Sequence, residues 1–149
     1  MTAAREAEGK ALGRDVAARL VRLEEIVAGI ARRAPEVPVF FRRRLAERVA
    51  ELGEGMADPV RLAQEVAFLA ERADITEELV RLKSHLAHAK DCLNNDGGPV
   101  GRRLDFLAQE MFREINTAGA KAQDETIARL VVDFKTELEK IREQIQNIE

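Results

Sequence analysis

Tryptophan and tyrosine are absent from this 149-residue chain, and aromatic residues make up only 4% of it. Any ring stacking therefore falls to six phenylalanines. A single cysteine, Cys92, excludes an internal disulfide framework and a cysteine-based zinc cage, and a lone thiol fits a reducing compartment. No stretch reaches the roughly 18 consecutive apolar residues of a membrane span, and the opening MTAAREAEGKALGRD has no apolar core of a secretory signal. A soluble, cytoplasmic protein with no membrane contact is expected. Charge of one sign is also lacking. Lys and Arg number 24 against 27 Asp and Glu, a balance of −3, which excludes a generally cationic nucleic-acid binder and confines any such contact to a local patch. The spread is uneven: residues 1–55 carry 11 basic and 9 acidic side chains, residues 56–149 carry 13 and 18. Motifs are missing too. There is no glycine-rich phosphate loop, HExxH, CxxC or GxSxG, and neither histidine stands in the Glu-x-x-His of a di-iron bundle.

What is present is helix. Ala, Leu, Glu and Arg dominate, and all are strong helix formers, whereas no stretch alternates apolar and polar residues with β-branched enrichment. Leu12, Val16, Leu20, Leu23, Val27 and Ile30 recur at threes and fours over about residues 2–34, where Pro35 and Pro38 are expected to end the helix. A second helix carries Phe41, Leu45, Val49 and Leu52 on one side and Arg42, Arg43, Arg44 and Arg48 on the other. Gly53-Glu54-Gly55 reads as a hinge, and Asp58-Pro59 as a helix start leading to Leu62, Val66 and Leu69. Asp74-Ile75-Thr76-Glu77 resembles a capping box, which either restarts a helix or sits inside a long bent one. Ile75, Leu79, Leu82, Leu86 and Leu93 form its stripe, and residues 94–99 (NNDGGP) form the clearest loop. A fifth helix is expected over about 101–117 with Gly119 at its exit. Asp124 then caps a last helix bearing Ile127, Leu130, Phe134, Leu138, Ile141, Ile145 and Ile148. The fold class is all-α: one domain over 1–149, an antiparallel helical bundle with long first and last helices whose seams could pair within the chain or with a second subunit.

Two polar helix faces stand out. At roughly 100° per residue, Asp74, Glu77, Glu78, Arg81, His85 and His88 share one arc, turned away from the stripe of Ile75, Leu79, Leu82 and Leu86. Carboxylates suit Mg²⁺ or Mn²⁺ and imidazole suits proton transfer near neutral pH, while the plain alternative is a solvated face braced by Glu77–Arg81 and Glu78–Arg81 pairs. On the fifth helix, Arg102, Arg103, Gln109, Glu110, Arg113, Asn116 and Thr117 oppose Leu104, Leu107, Met111 and Ile115, with Lys121 following. Such a set suits phosphate and ribose oxygens, or equally an exposed or subunit-facing surface. Arg42, Arg43, Arg44 and Arg48 are the best local footprint for a polyanion, with Phe40-Phe41 beside them able to stack on bases, but Glu36, Glu47 and Glu51 flank them. Phe112 lies between the two faces of its helix, where it could meet another subunit, and Cys92 reads as a packing residue.

Residues 58–67 (DPVRLAQEVA), 71–85 (ERADITEELVRLKSH), 97–124 (GGPVGRRLDFLAQEMFREINTAGAKAQD) and 141–149 (IREQIQNIE) resemble the C-terminal part of the YicC/YloC family of bacterial endoribonucleases. The likeness runs over about residues 5–149, more loosely before Asp58. It implies a single-stranded RNA endonuclease that uses a divalent cation, assembles as a homo-oligomer of hexamer type and acts in RNA turnover, small regulatory RNAs included. The family's motifs fall on Asp74, Glu77, Glu78, Arg81, Ser84 and His85, and on Gln109, Glu110, Arg113, Glu114, Asn116, Thr117 and Lys121, largely the two polar faces. Phe112 and Ile115 stand where the family has Asn and Ala, and Ala120 replaces a Ser. Family members are about twice as long, with an N-terminal α+β half, so this chain corresponds to the helical half.

The resemblance implies a divalent cation, and for metal-assisted phosphodiester hydrolysis the expected ligands of Mn²⁺ or Mg²⁺ are Asp74, Glu77, Glu78 and Glu110. His85 is the expected general acid or base, and Glu77 and Glu110 complete the expected catalytic group. Arg81, Arg102, Arg103, Arg113 and Lys121, aided by Gln109 and Asn116, would hold RNA. The alternative is a non-catalytic helical oligomerisation module whose polar faces line subunit contacts.

Overall fold

The computed structural model describes residues 2–53, 58–94 and 100–148, with all side chains there except those of residues 2, 5–7 and 148. Six helices account for nearly all of it: α1 (Thr2–Arg33), α2 (Glu36–Glu51), α3 (Pro59–Arg72), α4 (Thr76–Asn94), α5 (Val100–Ala122) and α6 (Glu125–Ile148). The described residues contain no strand, so the chain is all-α as expected. Residues 54–55 of the expected hinge and 95–99 of the expected loop lie outside the described residues, as does the side chain of Ile148.

Local chemistry sets most boundaries. Asp58 accepts the Val60 N–H at 3.0 Å with Pro59 in the first helical position, a cap and a pre-set φ together starting α3. Asp74 accepts both the N–H (3.0 Å) and the hydroxyl (2.5 Å) of Thr76, so α4 is a restart and not the continuation of a bent helix. Asp124 accepts from Ile127 N–H at 3.1 Å and opens α6. Two expectations are corrected. Pro38 does not end α1; it lies in the first turn of α2, where its missing N–H would have lacked a helical partner anyway. Nor is Gly119 an exit. α5 runs on to Ala122, because Gly119 lets α6 come close: a Cβ there would stand 3.3 Å from Val131 Cγ2. The turn falls at Gln123, whose φ of 46° is the left-handed conformation that stops a helix.

Helices α1, α4, α5 and α6 form a four-helix bundle in which α1 packs on α4 and α6, and α5 packs on the same two. Side-chain pairs fix the directions. Arg19 meets Glu137 and Arg33 meets Asp124 across α1–α6, while Arg81 meets Glu114 and Lys121 meets Glu78 across α4–α5, so ring neighbours run antiparallel. Into the shared core go the expected Val16, Leu20, Leu23, Val27 and Ile30 of α1 and Leu79, Leu82 and Leu86 of α4. Met111 and Ile115 of α5 meet Ile127, Phe134, Leu138, Ile141 and Ile145 of α6 there. Each such side chain contributes about 1.5–3 kcal/mol on burial.

The α2–α3 hairpin stands apart. It packs mainly on itself, α2 touching α1 only briefly. Of α2 only Val37 is buried, and no residue of α3 is. Leu45, Val49, Leu62, Val66 and Leu69 are half-buried, and Leu52, expected on the apolar side, is 68% exposed.

Candidate functional site

The α4–α5 pair carries most of the polar residues picked out by pattern. On α4, Glu78, Arg81 and His85 follow at intervals of three and four, so they share a face. On α5, Glu110, Glu114 and Lys121 stand four and seven apart and likewise share a face. Because the helices are antiparallel, the two stripes meet. Lys121 Nζ donates to Glu78 Oε1 at 2.5 Å and Arg81 Nε to Glu114 Oε1 at 2.7 Å. Glu78 is 1% exposed and Glu114 9%, so both carboxylates are taken out of water and each is held by one cation. These bonds raise both cations above their ordinary values, Lys121 chiefly through Glu78 and Arg81 chiefly through Glu114. Arg81 spends its Nε inward. Its Nη1 and Nη2 lie at longer range, 3.7 Å from Glu77 and 4.0 Å from Glu78, and the side chain is half exposed.

Two buried polar atoms on this seam have no hydrogen-bond partner, Glu78 Oε2 and His85 Nδ1. Buried polar atoms are nearly always paired, so an orphaned carboxylate oxygen and an orphaned imidazole nitrogen two turns apart on one helix mark places for a water or another group to bind. Farther along the same pair, His88 and Cys92 of α4 line a shallow depression with Arg102, Arg103 and Phe106 of α5. From Glu78 to Cys92 the strip runs for about 21 Å at 1.5 Å per residue.

The expected residues are thus divided. Asp74 is committed to Thr76 at the head of α4, which keeps its carboxyl below the usual 3.8. Glu77 is exposed and only loosely near Arg81, and Glu110 is half-buried. Arg113 is exposed on α5. Gln109 is tied to its own helix instead, donating to Asp105 at 3.1 Å, and Asp105 lies 3.6 Å from Arg142 of α6; Asn116 is half-buried. Glu114 was visible only as part of the family motif. Its role as the anchor of Arg81, 33 residues away, has no local signal. Phe112, between the faces, sits under Lys135 Nζ at 5.4 Å.

The four expected metal ligands do not converge within this chain. Among the described residues no group of three or more His, Cys, Asp or Glu side chains is placed to hold a metal ion. The chemistry agrees, since Asp74 serves as a helix cap and Lys121 occupies one oxygen of Glu78. The cation the resemblance implies therefore does not fit these residues as a self-contained centre.

Residues 30–149 match the family model described as "Endoribonuclease YicC-like, C-terminal". Over 147 residues the chain is 47% identical to a Clostridioides difficile (strain 630) protein named "Probable endoribonuclease YicC", covering 97% of this chain and 50% of that protein. A protein of the same name from Haemophilus influenzae (strain ATCC 51907 / DSM 11121 / KW20 / Rd) is 37% identical over 147 residues, covering 99% of this chain and 50% of its own. The chain spans about half the length of the curated relatives it matches.

Proposed function

This chain belongs to the family of YicC-like endoribonucleases, and from that premise we propose that it forms the RNA-holding, proton-transferring half of an endonuclease for single-stranded RNA. The observation that carries the reading is the α4–α5 seam, where Lys121–Glu78 and Arg81–Glu114 pairs border the unpartnered His85 Nδ1. Glu114 acts as a positioning residue: by taking Arg81 Nε it fixes the guanidinium and leaves Nη1 and Nη2 in long contacts only, 3.7 Å from Glu77 and 4.0 Å from Glu78, as donors for a phosphate. Lys121, anchored by Glu78, adds a second fixed cation, and Arg113 and the Arg102–Arg103 pair extend the grip along the strip. His85 moves the proton at the scissile phosphate, with Glu77 and Glu110 as the carboxylates beside it. The divalent cation of the proposal, Mn²⁺ or Mg²⁺, needs ligands from a second copy of the chain in the oligomer in addition to these carboxylates. When bound it would supply charge neutralisation at the phosphate.

The proposal places the protein in the cytoplasm as a homo-oligomer, a hexamer in the fullest form, acting in RNA turnover that includes small regulatory RNAs. No described helix is long and apolar enough to cross a membrane. The test incubates the 149-residue chain with labelled single-stranded RNA in Mn²⁺, in Mg²⁺ and in EDTA, beside a His85→Ala variant. Cleavage that EDTA abolishes and His85→Ala lowers by about 10²-fold or more is expected. A folded chain that neither cuts nor binds RNA overturns the reading and leaves a helical assembly module.

A further inference from the structure

We infer that the cleft between the α2–α3 hairpin and the α5–α6 turn takes up a nucleotide of single-stranded RNA, its base against Phe40 and its phosphate on Arg44 and Arg48. The inference rests on the reading of the protein as one that acts on RNA, but it concerns a different site from the α4–α5 seam. The cleft has a volume of about 400 Å³ and is walled by Phe40, Phe41, Leu45 and Leu69, within the range of about 300–1,000 Å³ typical of small-ligand sites. Its acids are already neutralised. Asp124 is held by Arg33 at 2.9 and 3.0 Å, and Glu125 by Arg129 at 2.6 Å.

Its arginines are not. Arg44 and Arg48, the two that line it, make no ion pair among the described residues. Glu47 and Glu51 share the helix but neither lines the cleft. The cleft therefore presents apolar walls with uncompensated positive charge, on a chain whose overall balance is −3.

Flat groups set the choice of occupant. The Phe40 ring, 42% exposed, has the Arg33 guanidinium 5.3 Å and the Arg44 guanidinium 5.8 Å from its centroid. Unstacked bases stack on aromatic rings or on guanidinium planes of this kind. An acidic peptide would use the arginines but gain nothing from that stack.

The experiment measures binding of a fluorescein-labelled single-stranded RNA to the full chain by anisotropy across a salt series, in EDTA so that cleavage does not intervene. Arg44→Ala/Arg48→Ala, which removes the grip on that one phosphate, is expected to lower the slope of log affinity against log salt by about 0.7. Phe40→Leu is expected to weaken binding about fivefold or more without changing the slope. Wild-type binding with slope and affinity untouched by either variant overturns the inference and leaves the α4–α5 reading standing. No RNA binding by wild-type chain overturns both. Competition by polyglutamate as strong as that by RNA, with Phe40→Leu neutral, overturns it in favour of an acidic protein partner.

Discussion

The bundle and the hairpin are built from like material, amphipathic helices rich in Ala, Leu, Glu and Arg, yet they end in opposite states of burial. In the bundle, α5 presents Leu104, Leu107, Met111 and Ile115 and finds α4 and α6 on either side, so its stripe vanishes into a core. In the hairpin, α3 presents Leu62, Val66 and Leu69 at the same spacing and finds only α2, so those residues stay half-buried while Val60 and Phe68 remain 66% and 62% exposed. Periodicity determines that a helix forms and which side is apolar. What covers that side is decided by topology, and here the α1–α4 connection carries a helix pair that packs mainly on itself. The bundle should accordingly hold the global stability, with the hairpin opening at lower cost.

The widest separation is expected from phenylalanines of the two regions. Phe134 is 0% exposed in the bundle, and Phe134→Ala should cost about 3–5 kcal/mol by lost burial and the cavity left behind. Phe68→Ala in the hairpin should stay within about 0.5 kcal/mol. Urea unfolding of both variants checks this, and comparable losses would mean that the hairpin is part of the same cooperative unit.

Asp124 is expected next, because it joins the ends of three helices. It caps α6 through Ile127 and accepts two bonds from Arg33 at the end of α1, beside the start of α2. Asp124→Ala should cost about 2–4 kcal/mol, a lost cap plus an arginine left without its partner. The bond from Arg33 keeps the Asp124 carboxyl below its ordinary 3.8. A carboxyl depressed by folding stabilises fully above its unfolded value, and that stability is lost as pH falls through the lower folded value. Wild-type stability should thus decline below about pH 5 more steeply than that of Asp124→Ala, read from thermal midpoints across acid pH.

A smaller effect belongs to the polar seam. Lys121→Ala leaves the buried Glu78 without its cation and should cost about 1–3 kcal/mol. Adding Glu78→Gln should recover part of that loss, because a neutral amide needs no counter-charge. A double-mutant cycle in urea measures the coupling, and strict additivity would show that the pair contributes nothing to folding.

These pairs also mark where sequence reading stops. Helix starts were legible because a cap is a local event: Asp58, Asp74 and Asp124 each bond a residue two or three positions on. The local ion pairs expected at Glu77–Arg81 and Glu78–Arg81 exist but are the long ones, 3.7 and 4.0 Å. The short bonds join residues 33, 43 and 91 positions apart, Arg81–Glu114, Lys121–Glu78 and Arg33–Asp124, and nothing local encodes them. Gly119 was misread for the same reason. Its purpose is contact with Val131 on the next helix, which a one-dimensional pattern records only as a break.

The smallest effect tests the hairpin's independence most directly. Gly53 follows α2 with φ of 100°, a conformation that side-chain-bearing residues rarely adopt, and a Cβ there would meet no atom within 4 Å. Gly53→Ala therefore acts through backbone strain alone, about 1 kcal/mol. Amide hydrogens of α2 and α3 should exchange about fivefold faster. If the hairpin opens as its own unit, it is already open when the bundle melts in urea, so the strain is gone by then and the bundle's urea midpoint stays unchanged. A bundle midpoint lowered by the full strain would mean that hairpin and bundle unfold together, and the contrast in burial would then carry no contrast in stability.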